Sequence, residues 1–191
     1  AYEILPANEM PRVINPTNGY VANANNDPIG FSLDNNALNQ TRPGGGIYYL
    51  DVGGASAYRQ GRIDRSLQRL IASGRKITLG DMQGLQSNNQ LLDAELTLQY
   101  LLGAFDRARA SGAWPQLAAL SNDGRVAEAI MRLRAWDFST PTGITQGFDP
   151  GDNPSALTAP SQSEIDASVA ATIFAMWRGV VVRNTVNSTL T

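Results

Sequence analysis

Apolar residues fall at helical spacing from about residue 56 onward and at no regular spacing before it. Ile63, Leu67, Leu70 and Ile71 stand at i, i+4, i+7 and i+8, one face of a helix that Gly74 stops. Thr78-Leu-Gly-Asp81 matches a capping box with Asp in the place of Glu or Gln, and Gly80 and Gly84 weaken the helix it opens. Leu98, Leu101, Leu102 and Phe105 define another helical face, ending near Ser111-Gly112. Val126, Ile130 and Leu133 define a shorter one, ending at Trp136-Asp137. After a loop of Thr, Pro and Gly over 138–160, Ser161-Gln-Ser-Glu164 caps a long last helix. Its apolar stripe of Ile165, Val169, Ile173, Met176, Trp177 and Val180 reads as core.

The first fifty residues follow another pattern. Ile4-Leu5, Arg12-Val13-Ile14 and Tyr20-Val21-Ala22 are strand-like steps, broken by Pro6, Pro11 and Pro16. The turn-rich stretch 34–46 ends in three glycines whose spacing fits no phosphate-binding loop; it reads as a flexible turn into Ile47-Tyr48-Tyr49-Leu50. The pattern predicts an α+β class: a strand-and-loop segment over 1–50, then a mainly helical region over 51–191. Steps this short cannot make a sheet by themselves and would pair with strands supplied elsewhere, which marks the chain as a piece of a larger fold.

Composition narrows the chemistry. The 191 residues carry a formal charge of −2 with no basic run, which argues against a nucleic-acid partner. No apolar run approaches a membrane span. There is no cysteine and no histidine, so disulfides, thiolate nucleophiles, Ser-His-Asp triads and His-ligated zinc made by this chain alone are excluded. Lys76 is the single lysine, flanked by Arg75 and a helix start, a poor setting for a Ser-Lys dyad. Carboxylates, amides, hydroxyls and arginine remain.

The amides are concentrated in Asn15-Pro-Thr-Asn-Gly-Tyr-Val-Ala-Asn-Ala-Asn-Asn-Asp-Pro28, with five asparagines around one short apolar step. Asparagine there serves either of two ends. It tolerates left-handed backbone and builds local side-chain turns. It also offers a neutral donor that can face a developing oxyanion.

That block resembles the Asn-Pro…Gly-Tyr/Phe-Ile/Val…Asn-x-Asn-Asn-x-Pro segment of the penicillin acylase family of N-terminal nucleophile hydrolases. Tyr58-Arg-Gln-Gly-Arg-Ile-Asp-Arg65 is similar to the family's arginine-bearing helix start. Lys76-Ile-Thr-Leu-Gly-Asp-Met-Gln-Gly-Leu-Gln86, Leu133-Arg-Ala-Trp-Asp137 and Ile173-Phe-Ala-Met-Trp177 follow in the family's order. The resemblance implies an amidohydrolase that cleaves an acyl group from an amide, of the β-lactam side-chain or acyl homoserine lactone type. It implies that the short strands complete the αββα sheet of such an enzyme. The nucleophile would be the N-terminal Ser of a processed chain with its own α-amino group as base, on a segment other than this one, which opens Ala1-Tyr-Glu. Asn25 takes the place of the oxyanion-hole asparagine, with Asn23 and Asn26 as alternatives, and Arg59 that of the arginine orienting it. Partners implied are other segments or chains of the same processed enzyme and a small amide substrate. No cofactor is expected in this segment; the family's structural calcium is the one metal to consider, with Asp51 and Asp34 as the acidic residues available. The family implies export to a bacterial periplasm or medium.

Two other functions compete. A non-catalytic module could present Tyr48-Tyr49 and the Asn-rich loops to a ligand or partner. A glycosidase could pair carboxylates such as Asp51 and Asp64, although no spacing selects those two.

Overall fold

The computed structural model describes residues 4–27, 40–48, 50, 57–110, 112, 114–149, 151–153 and 155–190. Two compact units divide at Ile77, Ala1–Ile77 and Thr78–Thr191.

The first unit corrects the expected class. Among its described residues, and among those of the whole chain, there is no strand; the pairing seen is an isolated antiparallel bridge between Thr41 and Ile47. The expected α+β fold, with short strands completing a larger sheet, is therefore not what these residues form. The reason lies in where the backbone donors go. Pro6, Pro11 and Pro16 have no N–H to offer and cut the chain into steps of a few residues. The intervening donors are spent locally: Glu9 N–H on Pro6 C=O (2.9 Å), Gly19 N–H on Pro16 C=O (2.9 Å), Ala24 N–H on Asn26 Oδ1 (3.1 Å) and Asn25 N–H on Asn23 Oδ1 (2.7 Å). Asparagine side chains have taken the bonds a sheet ladder would need. Residues 4–27 run as bends and extended chain with one 3-10 turn at Ala7–Glu9.

The single long element of this unit is α1, Tyr58–Ala72. It buries Leu67 and ends where Gly74 adopts φ +69°, its N–H reaching Ile71 C=O. The glycine turn closes as Arg42 N–H bonds Gly46 C=O and Tyr48 N–H bonds Gln40 C=O. Half-buried Arg42 donates from Nε to buried Glu9 at 2.8 Å, and Tyr48 Oη donates to the Glu9 carbonyl at 2.7 Å.

The second unit is helical: α2 (Leu79–Gln86), α3 (Leu92–Ala110), α4 (Pro115–Ser121), α5 (Gly124–Ala135), α6 (Gln162–Val181) and α7 (Ser188–Leu190), with a π segment at Val182–Asn187. The expected capping boxes open α2 and α6. Thr78 and Asp81 exchange both bonds in one, Ser161 and Glu164 in the other. The glycine-weakened α2 buries no residue.

Ala94 and Leu98 of α3, Leu133 of α5, Trp136 just beyond it, and Ala170 and Phe174 of α6 form the core. The Trp136 ring sits 5.6 Å from those of Phe138 and Phe174, and its Nε1–H is satisfied by Ser139 C=O at 2.7 Å. Three ion pairs tie the same helices together: Arg134–Asp106 (2.7 Å), Arg132–Asp166 (2.9 Å) and Arg178–Asp93 (3.0 Å).

The stripe expected to be the core face of α6 is borne out in part: Ile173 and Trp177 pack against the core. Met176 is 70% exposed and Val169 and Val180 are partly so, while Ala170 and Phe174 are buried. By length and composition alone, Gln162–Val186 is apolar enough to cross a membrane. In the fold its Ala170 and Phe174 close the core against α3 and α5.

Candidate functional site

The Asn-rich loop and α1 meet through side chains. Arg59, in the first turn of α1, places Nη2 2.7 Å from Ala24 C=O and 2.8 Å from Asn25 Oδ1. A guanidinium has donors and no acceptor, so only the oxygen of the Asn25 amide can face it. The orientation of that amide is thereby decided by chemistry. Nδ2 lies on the other side of the group, exposed, with no hydrogen-bond partner among the described residues.

The backbone supports the same arrangement. Asn25 has φ +59°, the left-handed region that asparagine enters more readily than most residues. Its N–H is held by Asn23 Oδ1, and the Ala24 N–H by Asn26 Oδ1. Asn23 and Asn26 thus spend their side-chain oxygens shaping the loop, while Ala24 between them is buried. A third tie lies five residues earlier. Tyr20 Oη donates to Asp64 Oδ1 on α1, and Gln68 Nε2 donates to Asp64 Oδ2 at 2.8 Å. The hydrogen bond to the Asp64 carboxylate pushes the Tyr20 phenol up from its ordinary value of 10.0.

The arrangement can present a neutral, oriented N–H donor at the surface of the first unit. It contains no nucleophile–base pair among the described residues: Asn25 is flanked by amides, Arg59 is a cation, and Asp64 is occupied by Tyr20 and Gln68. A family model for penicillin amidase matches residues 2–191. The chain belongs to the penicillin amidase family. No curated protein and no solved structure matches it.

Within a penicillin amidase, the residues named from sequence are distributed as follows. Asn25 and Arg59 come together; Asn23 and Asn26 lie beside them in scaffolding positions. Asp34, Asp51 and Tyr49 lie outside the described residues. Among the described residues no three carboxylates are grouped to hold a metal ion, so no ligand set for calcium is found there. Tyr48, a contact residue in the binding-module alternative, has its hydroxyl engaged by the Glu9 carbonyl. Asp64, a member of the glycosidase alternative, serves the Tyr20 tie instead.

The second unit carries an open groove of about 810 Å³, bordered by Arg132, Trp136, Asp137, Asp149 and Asp166. Its charges answer one another or nearby backbone. Arg132 is held by Glu128 and Asp166, Asp149 accepts from Thr142, and Asp137 accepts from Ser139, which lowers the Asp137 carboxyl below its ordinary value. The pairing that sequence reasoning missed is Tyr20 with Asp64. The two stand 44 positions apart, and no periodicity links them.

Proposed function

We propose that this chain is a segment of an amidohydrolase that cleaves an acyl group from a linear amide, and that it supplies the Asn25 side-chain N–H to the oxyanion of the tetrahedral intermediate. By this reading the attacking hydroxyl belongs to an N-terminal Ser on another segment, with the α-amino group as base, chemistry that needs no histidine. Attack converts a carbonyl into an alkoxide, and the donor that matters is one already aimed when that charge appears. Arg59 contributes by holding Oδ1, so Nδ2 does not have to reorient during the reaction. Membership of the penicillin amidase family supports the reaction class. The observation that carries the residue assignment is the donor-only guanidinium on Asn25 Oδ1.

The remaining parts of the proposal rest on the family resemblance. The substrate is a small amide such as a β-lactam side chain or an acyl homoserine lactone, the partners are other segments of the processed enzyme, and the location is periplasmic or secreted. Where the enzyme carries calcium, its role is structural and outside the reaction.

Asn25→Gly tests the assignment cleanly, because glycine accepts φ +59° without strain and only the carboxamide is lost. In the assembled enzyme, assayed on the best substrate from a panel of arylacetyl and long-chain acyl para-nitroanilides, kcat should fall about 100- to 1000-fold. Far-UV circular dichroism should be unchanged. A Gly variant that hydrolyses amides at the wild-type rate would overturn the assignment.

A further inference from the structure

The Asn-rich loop is tied to α1 at two helix residues, Arg59 and Asp64, and the second tie is unaccounted for by the oxyanion chemistry itself. Tyr20 meets Asp64 and Asn25 meets Arg59. The two loop residues stand five positions apart, as do the two helix residues, and the loop runs antiparallel to the helix. On α1, five residues advance about 7.5 Å along the axis. Along an extended chain the same number spans roughly 17 Å. Between its two pins the loop bends into a bow. The bend at Ala24-Asn25 and the left-handed φ of Asn25 are where it does so.

Besides these ties, Arg59 Nη2 bonds Ala24 C=O at 2.7 Å and Ala24 is buried, both at the Asn25 end of the bow. No sheet ladder receives it among the described residues, Val21 is exposed, and the local bonds from Asn23 and Asn26 curl the chain without attaching it to α1. The Tyr20 anchor is itself braced, since Gln68 occupies Asp64 Oδ2 and leaves Oδ1 turned to the phenol.

We propose that Tyr20 and Asp64 are positioning residues for the Asn25 amide: together they fix the far end of the bow and so set how far the amide projects from α1. This rests on the oxyanion reading of Asn25. Neither residue touches the reacting atoms. Releasing the Tyr20 end lets the loop straighten and draws the amide off its aim while Arg59 still grips it.

The test uses the assembled enzyme on its best para-nitroanilide substrate. Tyr20→Phe keeps the ring and deletes only the donor; kcat should fall about 10-fold with KM unchanged, short of the roughly 100-fold that a full 1 Å misplacement can cost. Asp64→Ala should do the same, and Asp64→Asn, which still offers an acceptor oxygen to the phenol, should restore most of the rate. The deciding measurement is the double variant. With Asn25→Gly already in place there is no amide left to position, so adding Tyr20→Phe should change kcat no further. The proposal is overturned by a wild-type kcat in Tyr20→Phe, or by an equal fold-loss with and without the Asn25 amide, which would mark a structural effect. Failure of the oxyanion reading itself would show separately, as undiminished activity in Asn25→Gly alone.

Discussion

Asn25→Asp separates the chemistry of this site from its architecture. The two side chains have the same shape, and aspartate also tolerates the left-handed φ of +59° at this position. Oδ1 stays opposite Arg59 Nη2 at 2.8 Å, and the contact becomes an ion pair. At an exposed site that pair contributes about 0–1 kcal/mol of stability. On the other side of the group the change is a reversal: an acceptor with negative charge replaces the N–H donor. Losing the donor costs about 3 kcal/mol of transition-state stabilisation. A carboxylate oxygen about 3 Å from the developing alkoxide adds at least ~1 kcal/mol of repulsion, even at the dielectric of water. The sum, about 4 kcal/mol, is roughly a 1000-fold fall in kcat.

The pH dependence has a definite sign. An ordinary aspartate titrates near about 3.9, and a neighbouring guanidinium lowers that value, so the new carboxylate is charged at every pH above about 4. Mild acidification therefore brings no rescue of activity. The stabilising contact is present above the unfolded value and is lost as pH falls through the folded one. Turnover of a para-nitroanilide and the thermal midpoint, measured on the same preparation, should move in opposite directions or the midpoint should hold. A variant that keeps a wild-type kcat, or one that recovers activity by pH 5, would refute the reasoning.

Two further outcomes concern the helical unit. Phe174 is 1% exposed and packs its ring 5.6 Å from that of Trp136, so Phe174→Ala should cost about 3–5 kcal/mol, read as a lower urea midpoint. Glu164 closes the α6 cap by accepting from the Ser161 hydroxyl and N–H, which lower its carboxyl below the ordinary 4.5. Its contribution is present above that value and is lost as pH falls below it, so a thermal-midpoint profile should drop on the acid side in the wild type and flatten there in Glu164→Gln.

The parts of this fold legible in sequence are those decided within a few residues. The caps at Thr78 and Ser161 and the stop at Gly74 are local events, and each stands where its spacing placed it. The seven-residue α4 was invisible because Pro115–Ser121 is too short to complete a repeating face. The face of α6 was only partly legible, for a different reason: Ile173 and Trp177 of the expected stripe pack on the core, and Val169, Met176 and Val180 do not. Apolar residues lie on more than one side of that helix, and packing chose the side that carries Ala170 and Phe174, with Phe174 against Trp136. The strands failed because proline and asparagine divert backbone donors, a competition that hydrophobic pattern does not register. Asn25 and Arg59 were reached through resemblance; residue spacing alone left the loop asparagines open to either role. Tyr20 and Asp64 could be joined only in three dimensions.

The segment before α6 is fastened at its near end: Phe138 C=O receives Leu91 N–H, Thr140 Oγ1 donates to Asn89 C=O, and Ser168 Oγ donates to Thr142 C=O. The cap at Ser161 fastens the far end. Between them residues 155–159 are exposed, and the bonds described there reach no farther than Asn153. That makes them a seam. A protease nick or an inserted tag at 155–159 should leave the two halves docked through Phe174 and Trp136, so the polypeptide could be divided there into complementing fragments without dismantling the bundle.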